Sequence, residues 1–232
     1  MLISILLWSL WAIYIGLLLL SPSGWLVPGD PIWAIQPETV REVMNESIDF
    51  FFISSLLAAI SPFDLQVPWV HPVSEALFNF ALAWMFAFLP LLLADRQGEG
   101  LPKRIIWIAA MFLTNVFLLP YMALRKDPTE LEHPPFEKKP WRSLGWISLF
   151  VGTVAIVWGV FVHPEAGNLA ARVQYFGESF GRDRVTVAFC VDLLLFWMFQ
   201  IILLRSTNFG DRSRRWLHYL PFLGLIHWLV FA

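Results

Sequence analysis

Apolar residues in this chain are gathered into blocks, and polar or proline-rich stretches separate them. Six blocks, at 1–20, 75–94, 103–124, 144–162, 184–204 and 216–232, are long and apolar enough to read as membrane spans. About 20 residues at a ~1.5 Å rise cross a ~30 Å hydrocarbon core. A seventh block, 48–60, is shorter and is expected to cross obliquely, to re-enter, or to lie along the interface. The pattern predicts an all-α polytopic transmembrane bundle of six or seven spans. The first block lacks the basic start of a secretory leader and outruns its ~7–15 residue apolar core, so it is expected to stay as a span.

The stretches between the blocks fit that reading. Residues 21–36 carry Pro22, Gly24, Pro28, Gly29 and Pro31 with Trp25 and Trp33, a loop at the membrane interface where Trp rings prefer to sit. Pro37 opens a helix with an acidic first turn, as a helix N-terminus favours. The sequon Asn45-Glu46-Ser47 inside it is read as chance, because such motifs match often without meaning. Prolines at 62, 68 and 72 make 61–74 extended. Residues 95–102 form a short exposed loop, and 169–175 are expected to form a short surface helix. The stretch 125–142 is the most polar and divides the chain into membrane halves at 1–124 and 143–232. Pro120 is placed to kink the block it sits in.

Composition narrows the class further. Hydrophobic residues make up 58% and charged residues 15%, with a mean hydropathy of +0.63, whereas soluble domains run near ~25% charged. The principal partner is therefore the lipid bilayer. A net charge of −2 without a basic cluster excludes a nucleic-acid partner. The lone Cys190 forms no internal disulfide. No phosphate-binding Gly loop, Gly-x-Ser-x-Gly or Cys-x-x-Cys is present, and no His/Glu pairs stand at metal-binding spacing.

The candidate chemistry lies in polar residues inside the blocks. Asp192 is near the middle of 184–204, with Gln200 two turns on and on the same face. A carboxyl at that depth costs ~2.5–3.5 kcal/mol or more unless it faces protein, water or a partner. Asn115 and Asn79 are further interior amides, and Glu75 stands one turn before Asn79. These groups read either as a proton or ligand site, or as interhelical glue of ~0.6–2 kcal/mol each. His227, in the last block, is a candidate ligand for the magnesium of a chlorophyll or for a haem. The alternative for it is a hydrogen-bonded interior histidine. Thirteen Trp and twenty-one Phe offer flat walls that suit carotenoid, chlorin, quinone or lipid tails, and suit ordinary helix packing as well.

Two further patterns bear on architecture. Trp84-Met85-Phe86 and Trp197-Met198-Phe199 each precede a Gly-containing loop closed by two basic residues. This suggests two three-helix units, inverted if each has an odd number of spans. Counting spans places Arg125, Lys126, Lys138, Lys139, Arg142, Arg205, Arg212, Arg214 and Arg215 on one side and the other seven basic residues opposite, a weak orientation signal.

The runs Ser47-Ile-Asp-Phe-Phe-Phe-Ile, Val70-His-Pro-Val-Ser-Glu-Ala-Leu-Phe-Asn and Leu119-Pro-Tyr-Met-Ala-Leu-Arg125 resemble polytopic membrane proteins of cyanobacteria and chloroplasts. The resemblance implies a thylakoid or bacterial inner membrane and assigns no functional residue. The first functional expectation is a non-enzymatic accessory or assembly subunit of a larger, plausibly photosynthetic, complex with lipid or pigment contacts. The alternatives are a proton-coupled small-solute transporter, or an intramembrane enzyme acting on an isoprenoid or lipid.

Overall fold

A computed structural model of the chain describes residues 2–34, 69–126, 136–207 and 212–231. The acidic helix expected after Pro37, the sequon, the 48–60 block and much of the polar linker lie outside those residues. Every regular element among the described residues is helical. The helices are α1 (Leu2–Tyr14), α2 (Pro72–Ala94), α3 (Lys103–Leu124), α4 (Arg142–Phe161), α5 (Leu169–Arg182), α6 (Arg184–Ser206) and α7 (Leu223–Val230). Ile15–Leu20 continues α1 as a wider π-helical turn. Among the described residues, five segments are long and apolar enough to cross a membrane: Leu2–Leu20, Pro72–Ala94, Lys103–Leu124, Lys139–Phe161 and Arg184–Ser206. The expected span at 216–232 is not among them. The chain there runs as a tight helix, Arg212–Tyr219, reverses at Phe222 with φ 59°, and continues as the eight-residue α7, which covers only ~12 Å.

The helices form two compact units, one of Met1–Ile15, Leu82–Phe150 and Asp192–Ala232, the other of Gly16–Ala81 and Val151–Val191. In the first unit α3 is not a straight rod. Leu113 (φ −132°, ψ 40°) and Thr114 (φ 21°, ψ −105°) leave the helical region, and the chain turns back there. Both of its ends reach one residue. Lys103 Nζ donates to the Asp95 carbonyl at 2.5 Å and Arg125 Nε to the Asp95 carboxylate at 2.7 Å, and the Lys126 N–H reaches the Gln97 carbonyl at 2.9 Å. A straight helix of this length would hold its ends ~33 Å apart. So α3 is a helical hairpin of two arms, 103–112 and 115–124, and not the straight rod its hydropathy predicts.

The hairpin is braced on both sides. Trp107 Nε1 on the outgoing arm donates to the Met85 carbonyl of α2 at 2.7 Å. The returning arm lies antiparallel to α1: Ser4 Oγ donates to the Ala123 carbonyl at 2.8 Å, Trp11 Nε1 to the Val116 carbonyl at 2.9 Å, and Tyr14 lies against Thr114. The Val116 contact has a local cause. Pro120 has no N–H to give the carbonyl four residues back, and Trp11 supplies it. Pro120 therefore sits inside the returning arm, and the break falls at 113–114.

Helices α2 and α6 end side by side. Ser206 Oγ donates to Asp95 Oδ1 at 3.1 Å, and Trp84 and Phe88 pack on Phe196 behind that junction. The two helices are thus parallel, whereas the inverted repeat inferred from the Trp-Met-Phe echo would set them antiparallel. The echo has another content: each of these helices is followed by a segment that goes in and comes back. Gly145 lets α4 approach the second returning segment, since a Cβ there would meet Val230 Cγ2 at 2.6 Å.

The second unit is held by two buried arginines. Arg184 donates to the carbonyls of Pro28 (3.0 Å), Ser21 (2.8 Å) and Gly29 (2.8 Å). Arg172 donates to those of Gly167, Gly159, Val162 and His163 at 2.7–3.1 Å. Arg172 closes open carbonyls at the end of α4, where a cation suits the helix dipole, and Arg184 ties down the loop that follows Leu20. The surface helix α5, which carries Arg172, extends well past the expected 169–175. His71 stacks on Tyr175 with ring centres 3.4 Å apart, and its burial and the nearby Arg172 charge push its pKa down to about 4. Val73, Ala76, Leu77, Phe80, Ile156 and Val160 line an apolar groove of about 470 Å³, flanked by α5.

Candidate functional site

The turn of the α3 hairpin meets Asp192. Thr114 Oγ1 donates to Asp192 Oδ2 at 2.6 Å, Asn115 Nδ2 to Oδ1 at 2.6 Å, and Tyr14 Oη to Oδ1 at 2.7 Å. Tyr14 Oη also lies 3.4 Å from Thr114 Oγ1. Asp192 is 4% exposed and Asn115 fully buried. All three partners are neutral, so among the described residues this carboxylate is hydrogen-bonded but not ion-paired. The local fold supplies further polarity. The outgoing arm 103–112 ends at the turn with open carbonyls, and the returning arm 115–124 begins there with open N–H groups. Backbone of this kind at membrane depth persists only where protein or a water-filled cavity surrounds it. Asn115 Oδ1 is buried with no hydrogen-bond partner among the described residues.

A second buried carboxylate closes the mouth of the hairpin. Asp95 is fully buried and takes two hydrogen bonds from Arg125, at 2.7 and 2.9 Å, one from Tyr121 at 2.7 Å and one from Ser206 at 3.1 Å. Burial alone would raise its pKa. The hydrogen bonds and charge of Arg125, with the Tyr121 and Ser206 donors, outweigh that and hold it below the usual carboxylate range.

Of the residues singled out from the sequence, the structure joins Asp192 and Asn115. Gln200 has another task. It accepts from Trp84 Nε1 at 3.1 Å and donates to the Leu220 and His218 carbonyls at 2.8 and 3.2 Å. With Trp197, which donates to the Tyr219 carbonyl at 2.8 Å, it ties down the chain before it turns into α7. Asn79 donates to the Glu75 carbonyl at 2.7 Å, and Glu75 Oε2 accepts from Trp158 Nε1 at 2.6 Å. Glu75 and Asn79 belong to the second unit, and Asp192 to the first. His227 is half-buried on α7, its ring 6.1 Å from that of Phe231, on an element too short to span. Tyr14 and Thr114 were missed as site residues. No group of three His, Cys, Asp or Glu able to hold a metal ion occurs among the described residues.

No family model, curated protein or solved structure matches the chain.

Proposed function

We propose that the chain is an integral membrane protein that couples movement of a small solute to a cation, with Asp192 as the coupling site. The observation that carries this is the hairpin of α3, whose turn delivers two side chains to a carboxylate that has no cationic partner among the described residues. Re-entrant or broken helices that bring half-helix ends to the bilayer interior are how many transporters build ion and substrate sites. An ionisable group held there at such cost is a functional group by default.

Re-entry also sharpens the orientation. It moves Arg96, Lys103 and Arg104 to the side of Arg125, so the nine basic residues first assigned to that side become twelve of sixteen. By the positive-inside rule that side, which also holds the start of α1, is cytoplasmic.

The test is reconstitution of the full chain into liposomes, with currents recorded as amino acids, organic acids, sugars and small amines are pulsed under an imposed ion gradient. A solute-dependent current that Asp192→Asn abolishes is expected. Currents that the variant leaves intact, or no current with any class, would sink the reading.

A second reading, an accessory subunit with lipid contacts, is favoured by the apolar groove beside α5 and by exposed Ile147, Phe150, Val157 and Phe161 on α4. Co-migration with a large complex on mild extraction from the native membrane would support it. Nothing in the described residues points to a photosynthetic partner or a pigment.

A further inference from the structure

The ion-coupled reading leaves its ion unnamed, and the turn of α3 carries more oxygen than a proton needs. Four side-chain oxygens gather there, both of Asp192, Thr114 Oγ1 and Tyr14 Oη, and the Asn115 amide joins them through its nitrogen. We propose that this cluster binds a monovalent metal cation, with Na⁺ as the ion that fits. The inference rests on the reading above and names the ion for the same site.

Four observations lead to it. First, the cluster carries a single carboxylate whose hydrogen-bonding side chains are neutral, so one positive charge balances it and a divalent ion would leave an excess buried in a low-dielectric site. Second, Asn115 is fully buried and its Oδ1 has no hydrogen-bond partner among the described residues. A proton on Asp192 does nothing for that oxygen, because Asn115 already meets Asp192 through its amide nitrogen. A metal ion bound beside the Asn115 amide would give it a partner. Third, the outgoing arm of α3 ends at the cluster and leaves its last carbonyls open there for a cation, while the open N–H groups of the returning arm favour the Asp192 carboxylate. Hard oxygen donors of these types suit alkali and alkaline-earth ions, not metals that prefer nitrogen or sulfur. Fourth, the oxygens of Tyr14, Thr114 and Asp192 stand 2.6–3.4 Å apart. These are hydrogen-bond separations, and the oxygens must spread to surround an ion, less for a small ion than for a large one, hence Na⁺ before K⁺. On binding, the Thr114 and Tyr14 hydroxyl protons turn outward and the oxygens that now donate to Asp192 become ligands.

The test uses the purified full chain and needs no solute. Its melting temperature, followed by tryptophan fluorescence, is measured in NaCl, KCl and choline chloride at equal ionic strength and fixed pH. Na⁺ is expected to raise it saturably, as a ligand of the folded state does, while choline leaves it unchanged. Asp192→Asn should abolish the rise. Thr114→Val, which keeps the shape and removes one ligand, should raise the half-saturating Na⁺ at least about tenfold, and it decides the matter if Asp192→Asn does not fold. Equal melting in NaCl and choline chloride overturns the sodium site. If solute currents driven by a pH gradient then persist and need Asp192, the coupling ion is a proton and only the inference falls. If currents are absent too, the ion-coupled reading falls with it. A rise that Thr114→Val and Asp192→Asn leave untouched places Na⁺ elsewhere and also overturns the proposal.

Discussion

Asp95 and Asp192, both buried in the first unit, sit at opposite ends of the same hairpin and are solved in opposite ways. Asp95, at the mouth, faces a guanidinium that meets it with two hydrogen bonds, helped by a phenol and a hydroxyl. Asp192, at the turn, faces two hydroxyls and an amide. The first arrangement neutralises the charge within the protein and gives up any exchange. The second stabilises the charge without cancelling it, which leaves the site able to take and release a cation. A hairpin that must hold position at its mouth and respond at its turn needs both.

The largest expected effect removes the internal counter-ion. Arg125→Leu leaves Asp95 buried and unpaired, and breaking one partner of a buried pair costs ~3–5 kcal/mol. Chemical unfolding in micelles should show it. The double variant Asp95→Leu/Arg125→Leu should recover most of the loss, because two apolar groups leave no charge stranded. A single variant as stable as the parent would mean that the clasp does not hold the hairpin.

Acid probes the same contrast less drastically. The folded-state pKa of Asp95 lies below its unfolded value, near 3.9 for a free Asp. Its contribution is therefore present above about pH 4 and lost as the pH falls through the folded value, where the native carboxylate also protonates. Melting temperature should fall below about pH 4, and the double Leu variant should show a shallower acid limb. An unchanged limb would assign acid sensitivity to other groups.

At the turn, stability and activity should part company. Tyr14→Phe removes one hydrogen bond to Asp192, and membrane hydrogen bonds average ~0.6 kcal/mol with ~2 as an upper range. Melting should shift little, while solute current or Na⁺ affinity drops severalfold. A large loss of stability with unchanged affinity would turn Asp192 into a second structural clasp and erase the comparison.

Sequence made the helices legible and hid the hairpin, for one physical reason. A bilayer demands apolar surface and internal backbone pairing. A hairpin of two half-helices meets that demand with the same length and hydropathy as one crossing. Two hints were present. Lys103 and Arg125 stand at both ends of the block, as they must if both ends reach the same surface, and Thr114-Asn115 place two polar side chains at its centre. Asp192 was conspicuous because a mid-block carboxyl has no cheap explanation. Tyr14 was not, because an aromatic ring in an apolar block reads as packing and its hydroxyl matters only once the partner is known. The Gln200 contacts were equally hidden, since its acceptors are backbone carbonyls that hydropathy does not register.

The smallest effect tests whether α1 truly braces the returning arm. Trp11→Phe keeps the ring and removes the N–H that the Val116 carbonyl accepts. Pro120 cannot replace it, so the carbonyl is left open at a net cost of about 1 kcal/mol. The diagnostic is the background. In Pro120→Ala the helix regains a backbone N–H for Val116, and Trp11→Phe should then cost less. A double-mutant cycle on unfolding free energy would show this as a coupling of ~0.5 kcal/mol or more. Coupling near zero would mean that Trp11 contributes through packing alone and that Pro120 disturbs the arm without help from α1. The mouth of the hairpin would then carry its stability, and the turn at Asp192 would be freer to move.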